Sequence, residues 1–284
     1  MKIAVTGAGG QLGGAFDRYL NRGGFEFRSF NKSEWDICSR QHTDQWLKNQ
    51  DFDVLINCAA YTDVEKAETC ASTCFKVNAE GSKILAETCA KTDTKLIHFS
   101  TDYVFDGMKG SPYQEEDPTN PINSYGQSKL LGEEHIKDAD CAYFIFRISW
   151  LFGGRNAGFL AEVRQWMKQT HSPHITDDEI SNPTYCHHVP EAVFTVIKQA
   201  KTRSIFHLAN QGCCSRYEWV KYFVETCLKQ SASIQRTTSE TFKTLAKRPE
   251  NSSLNIEKVS AFLKNPMPNW KEATRQYALQ GDIS

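Results

Sequence analysis

Short apolar runs alternate with longer stretches of helical periodicity through the first half of the chain. Lys2–Thr6 is a β-rich run that breaks into Gly7-Ala-Gly-Gly10-Gln11-Leu12-Gly13, and apolar positions Leu12, Phe16, Tyr19 and Leu20 then predict a helix. Further strands are expected at Glu26–Phe30, over residues 53–60, and over 95–99 leading into Ser100. A helix is expected from about 70 to 90. The breaker-poor run 125–135, interrupted only by Gly126 and Gly132, predicts another. Residues 143–149 read as a fifth strand, left by Trp150-Leu-Phe-Gly-Gly154. Strands alternating with helices in this way predict an α/β fold with a doubly wound parallel sheet.

Beyond residue 150 the pattern changes. Residues 171–188 read as loop, with Pro173, Pro183 and Pro190 nearby. A helix over 191–200 and a short strand over 205–208 return to the sheet. The tail mixes helices at 216–229, 256–263 and 270–279 with polar loops, without internal repeats or low-complexity segments. The expected division is residues 1–150 as a dinucleotide-binding domain, completed by about 189–210, and 151–284 as mainly a smaller α/β lobe.

The chemistry gathers at strand ends. Gly7, Gly10 and Gly13 are spaced for a tight turn, for close approach of backbone to a pyrophosphate, and for close helix–strand contact. The helix N-terminus that follows attracts an anion. No acid ends the second strand, where Arg28, Asn31 and Lys32 stand instead. That favours NADPH over NADH, although Arg28 and Lys32 as plain solvated cations are an equal reading and NADH stays open. Asp36 and Ile37 are placed to border an adenine. Ala59 and Ala60 are small enough to let a cofactor lie across the third strand's end; core packing is the plainer reading, but their place at the carboxyl edge of a parallel strand favours a ligand. Ser100-Thr101-Asp102 falls at the carboxyl end of the buried fourth strand. Tyr125 and Lys129 are four apart, so a helix puts both on one face. A cation beside a phenol favours the phenolate, which is expected to lower a tyrosine pKa that starts near ~10. Thr101 can bond the same substrate oxygen. Alone, this Tyr–Lys spacing is also what an ordinary surface helix carries.

Composition narrows the partners. The 284 residues carry a net charge of -1 with scattered Lys and Arg, leaving no footprint for nucleic acid or an anionic membrane. No apolar stretch is long enough to span a bilayer, and MKIAVTGAGG is too short and Gly-rich for a signal peptide. The ten cysteines include no C-x-x-C pair, so they read as scattered thiols of a cytoplasmic protein. His187 and His188 lack a neighbouring Cys or Asp cluster, so they read as loop residues and not as a metal site.

Seven motifs run in order along the chain. They are Gly7 to Gly13, NCAAYTDVEKAE from Asn57, STDYVFDG from Ser100, YGQSKLLGE from Tyr125, RISW from Arg147, NPT from Asn182 and RPENSSLN from Arg248. On these the chain resembles the extended short-chain dehydrogenase/reductases, and among them the dTDP-4-dehydrorhamnose reductase family. The resemblance implies a Rossmann-type domain with a C-terminal substrate lobe, and NADPH-dependent reduction of C4 of a nucleotide-activated 4-keto-6-deoxyhexose. It implies Thr101, Tyr125 and Lys129 as the catalytic set. Cofactor contacts would come from Gly7, Gly10, Gln11, Leu12, Asn31, Lys32, Asp36, Ile37, Ala59, Ala60, Tyr61 and Asn78, with Tyr125 and Lys129. Substrate contacts would come from Thr101, Asp102, Val104, Tyr125, Trp150 and Arg248. Ala15 stands where some members carry a metal-linked Glu at a dimer contact, so no divalent metal is expected, while a homodimer stays open. Cys58 replaces a common Ala, and His187-His188 a common Asp. A reductase of another nucleotide 4-keto sugar, or a non-catalytic cofactor-binding subunit of the same fold, are the alternatives.

Overall fold

A computed structural model describes residues 1–154, 158–169, 172–231 and 233–280. Its first part is β1 (Lys2–Thr6), α1 (Gln11–Arg22), β2 (Glu26–Phe30), α2 (Arg40–Gln50) and β3 (Val54–Asn57). Then come α3 (Val64–Thr69) and α4 (Ala71–Phe75), which runs through a π-helical turn at Lys76–Glu80 into α5 (Gly81–Thr92). β4 (Lys95–Thr101), α6 (Ser124–Asp138) and β5 (Tyr143–Ile148) complete the first half, in which every expected strand is found and α2 was not anticipated. The second half holds β6 (Leu151–Phe152), α7 (Phe159–Gln169), β7 (His174–Thr176), β8 (Ile180–Ser181), β9 (Thr184–Tyr185), α8 (Val189–Gln199) and β10 (Ser204–His207). It ends with β11 (Cys214–Ser215), α9 (Arg216–Tyr222), β12 (Gln235–Thr237), α10 (Glu257–Ser260) and α11 (Trp270–Gln280).

Six strands pair in parallel in the order β2-β1-β3-β4-β5-β10. Both faces are covered, which is why Val54-Leu55-Ile56 and Phe144-Ile145-Phe146 are continuous apolar runs and do not alternate. Ile3, Val5, Ile97, Phe99 and Phe146 pack on α1 and α8 through Phe16 and Phe194. Ala4, Leu55, Leu96 and Ile145 pack on the other side against Leu47 of α2 and Leu85 of α5. The strand order reverses between β1 and β3, and in open α/β sheets such a reversal opens a crevice at the carboxyl ends of the strands. A third apolar cluster, around Phe152, Leu160, Val163, Trp219 and Trp270, lies outside the sheet.

The expected loop over 171–188 differs from what is observed. It carries β7, β8 and β9, which pair with β12, β11 and β6; His171 itself lies outside the described residues. Strands of two or three residues are too short to show a period of two. The helix expected over 256–263 is reduced to Glu257–Ser260, and α7 was not anticipated. All ten cysteines are free thiols. Among the described residues, no helix is long and apolar enough to cross a membrane.

Candidate active site

The crevice between β1 and β3 is lined by backbone. Gly7 has φ +72°, and a Cβ there would strike the backbone of Cys58 and Ala59. The N-cap of α1 is Gly10, and the first turn has neither an acid nor a side-chain cap, so the helix end offers its amides to an anion. These features fit a dinucleotide pyrophosphate. Ala59, Ala60 and Tyr61 follow β3 half-buried. Tyr61 is held at both backbone atoms by Asn78, its N–H donating to Oδ1 at 2.8 Å and its carbonyl accepting from Nδ2 at 3.0 Å. Asn78 Nδ2 also donates to Ser128 Oγ of α6 at 2.9 Å, so Asn78 ties the cofactor-side loop to the helix of Tyr125. The π-helical turn that carries it widens the helix at that point, as such turns often do near functional sites. Gln11 accepts from the Gly154 N–H at 3.3 Å.

Other residues assigned to the cofactor lie differently. The side chains of Leu12 and Ile37 are core. Asn31 and Lys32 are exposed, and Asp36 is half-buried with its carboxylate accepting from the Cys38 N–H at 3.0 Å. The Arg28 guanidinium lies 4.3 Å from the Trp46 ring centroid. Glu34, passed over in the sequence, accepts from the Asn31 N–H at 3.0 Å and sets a carboxylate beside the end of β2.

α6 begins where Asn123 Oδ1 accepts from the Gly126 N–H at 2.8 Å. Its glycines are points of close approach: a Cβ at Gly126 would collide with the Tyr103 carbonyl, and one at Gly132 with that of Asn78. One turn on from Lys129, Glu133 binds Arg147 of β5 through both carboxylate oxygens, at 2.9 and 2.8 Å, with both groups buried. Tyr125 and Lys129 are therefore carried on a helix fixed to the sheet along its length.

The Thr101 side chain is the neighbour that favours ionisation of the Tyr125 hydroxyl. Thr101 Oγ1 in turn donates to Asp102 at 3.0 Å and accepts from the Tyr103 N–H at 3.2 Å. Asp102 is buried and also takes hydroxyl bonds from Ser181 (3.0 Å) and Ser252. Burial pushes its carboxyl up to about 6 even against those donors. The expected lowering of the Tyr125 pKa is not what the structure has. Burial of the hydroxyl drives it well above the ordinary value, outweighing Thr101, which lowers it. Lys129 is itself buried and brought down to about 8 by that burial, with Nζ donating to the Phe99 carbonyl at 2.6 Å.

Tyr103 lines a cleft of about 980 Å³, with Glu65, Phe159, Trp166, Arg216 and Arg248 among its other walls. Tyr103 meets the Tyr125 ring edge-on at 6.0 Å. Arg248 lies against Glu65 at 2.7 Å, with its Nε buried and unpartnered. Val104 has its side chain in a small core cluster with Phe105 and Leu254, away from the cleft. Trp150 is half-buried with φ +39°, an unusual backbone for a bulky residue, and its carbonyl accepts from the Thr184 N–H at 3.1 Å. Its ring stacks on Trp219 and carries the Arg216 guanidinium at 4.1 Å. Arg216, Phe159 and Trp166 were not singled out in the sequence. Only tertiary packing brings their segments to the cleft.

A Tyr-x-x-x-Lys helix tied to a strand-end threonine separates the short-chain dehydrogenase/reductases from other doubly wound folds, and the long C-terminal part marks their extended branch. The chain belongs to the RmlD substrate binding domain family, whose model matches residues 1–282. It is 32% identical over 277 residues to a dTDP-4-dehydrorhamnose reductase of Mycobacterium tuberculosis, covering 96% of this chain and 90% of that protein. A solved dTDP-4-dehydrorhamnose reductase of Clostridium acetobutylicum superposes with a TM-score of 0.94 at 30% identity, over 99% of this chain and 100% of that one. One from Bacillus anthracis, solved in complex with NADP, gives 0.93 at 29% identity over 98% and 99%.

Proposed function

We propose that the protein reduces the C4 keto group of a nucleotide-activated 4-keto-6-deoxyhexose with NADPH, and specifically converts dTDP-4-dehydro-L-rhamnose to dTDP-L-rhamnose. The observation that carries this is Tyr125, with Thr101 acting on its hydroxyl, set against Tyr103 in the wall of a cleft large enough for a nucleotide sugar, in a chain similar to reductases of that name along nearly its whole length. NADPH, when bound, supplies the hydride that adds to C4. Tyr125 gives its proton to the C4 oxygen as charge develops there, which completes the alcohol. Thr101 bonds the same oxygen and fixes the carbonyl by turning its hydroxyl proton from Asp102 to the substrate. Lys129 in its ammonium form stabilises the tyrosinate left behind until it is reprotonated. Arg248 and Arg216 face the cleft as cations for a diphosphate.

In this reading residues 1–150 with about 189–210 hold the cofactor and the remainder holds the sugar nucleotide. The protein then works in the cytoplasm on a small molecule without a metal, as a monomer or a homodimer, and NADH remains a slower donor. The test is a panel of nucleotide 4-keto-6-deoxysugars with NADPH, followed at the nicotinamide absorbance. The dTDP-4-dehydro-L-rhamnose reaction is expected to be fastest. Oxidation of NADPH by none of the panel would overturn the assignment.

A further inference from the structure

Thr6, Asn57 and His98 stand side by side in one register row across β1, β3 and β4. All three are buried, on a sheet face that is otherwise Ala4, Leu55 and Leu96. Polar groups in so dry a row must satisfy one another. Their orientation can be read from one end. The Ala59 N–H, which can only donate, points at Asn57 Oδ1 at 3.1 Å, and the Thr6 hydroxyl joins it at 2.8 Å. The other end of that amide is therefore its NH2 group, and it faces His98 Nδ1 at 3.1 Å. Nδ1 must accept, so the single proton of the neutral ring is on Nε2. The ring is neutral because burial drives its pKa well below the ordinary value, and any charge on Lys129 pushes it the same way. The Nε2–H faces Lys129 Nζ at 3.3 Å. A donor facing an ammonium has nothing to bond, whereas an amine lone pair accepts it. The bond from Nζ to the Phe99 carbonyl is made by either form.

We propose that His98 is a positioning residue whose tautomer, locked by Asn57, presents a proton donor to Lys129 and so favours its uncharged amine in the cofactor-free protein. The groups around Nζ agree. His98 and Phe99 face it from β4, Cys58 from the end of β3, Cys74 from α4 and Glu133 from its own helix. Of these only Glu133 favours the ammonium as a fixed charge, and both its oxygens are already held by Arg147. Burial of Nζ acts in the same direction as His98. The consequence for catalysis rests on the proposed reduction: the ammonium that steadies the Tyr125 phenolate is lost in mildly alkaline solution, and the basic limb of the rate profile follows it.

The test is a carbon-13 titration of cofactor-free protein labelled at lysine Cε, with the Lys129 resonance identified by its absence in Lys129→Met. It is expected to titrate near pH 8. In His98→Gln, whose amide oxygen can accept from an ammonium, the midpoint should rise by about one pH unit or more, and the basic limb of kcat with it. A wild-type resonance that titrates with the exposed lysines overturns the proposal, as does an unmoved midpoint in a folded His98→Gln. If that variant does not fold, Asn57→Leu, which removes the donor that locks the tautomer, is expected to raise the midpoint likewise, and an unmoved midpoint there overturns the proposal. The predicted titration without reductase activity would fault the proposed function and leave the role of His98 standing.

Discussion

At Tyr125 burial and the Thr101 side chain oppose each other, and burial prevails, so the resting phenol is fully protonated at neutral pH. Such a group is a poised acid that releases its proton only when negative charge appears within reach. Tyr125→Phe removes that proton and little packing surface. We expect kcat to fall by about 10²–10⁴, with cofactor and substrate affinity kept, as measured by steady-state rates beside equilibrium binding. Undiminished turnover would remove the residue from the chemistry. At the far end of the cofactor crevice the cations divide unequally. Arg28 is occupied by the Trp46 ring, which leaves Lys32 as the freer charge for a 2′-phosphate, with Glu34 opposing it. Lys32→Ala is expected to lower kcat/KM for NADPH by about three- to tenfold and leave that for NADH unchanged. Equal losses with both cofactors would mean that Lys32 does not read the phosphate.

α6 acts as a bar clamped at three heights, by Gly126 on Tyr103, Gly132 on Asn78 and Glu133 on Arg147. Alanine is the better helix former, yet at Gly132 its methyl would have to displace the Asn78 carbonyl and with it the π-helical turn. Gly132→Ala is therefore expected to cost about 1–3 kcal/mol in urea unfolding and to lower kcat by shifting Tyr125 and Lys129 together. A gain in stability would show that the approach is not tight. In the sequence these glycines read only as breakers, because the spacing along a helix does not tell what passes outside it. The same limit explains other differences. The five strands, the Gly-rich turn and the Tyr125–Lys129 face follow from local period and from strand-to-helix order, so they were legible. The direction of the Tyr125 pKa was not, since it depends on how much protein closes over the hydroxyl. The Thr6–Asn57–His98 row depends on strand register, which no single strand carries. α7 had its pattern in plain view, with Leu160, Val163 and Met167 at helical spacing and buried on one side, but it follows Gly153, Gly154 and Gly158, which read as loop.

For the molecule as a whole, the buried titratable groups split into two sets that answer acid in opposite directions. His207 is 0% exposed, and burial with the adjacent Arg147 pushes it down to about 3, while its Nδ1 donates to the Tyr113 carbonyl at 3.0 Å. An unfolded chain protonates that ring near ~6.5. Between there and about 3 the unfolded state binds the extra proton, so this ring makes the protein less stable as pH falls. Asp102 does the reverse. Its native carboxyl, raised to about 6, takes a proton before the unfolded one does near ~3.8, so acid relieves the cost of burying its charge. Each group contributes a slope of about 1.4 kcal/mol per pH unit inside its window, with opposite sign. His207→Gln should therefore flatten the loss of unfolding free energy between pH 6 and pH 4 by roughly that slope, and Asp102→Asn should steepen it by a similar amount. Asparagine can still meet the hydroxyls of Ser181, Ser252 and Thr101, which either donate or accept, so the variant is expected to fold. Urea unfolding at half-unit pH steps measures both slopes. If the two variants move the profile in the same direction, the charge states assigned to these buried groups are wrong.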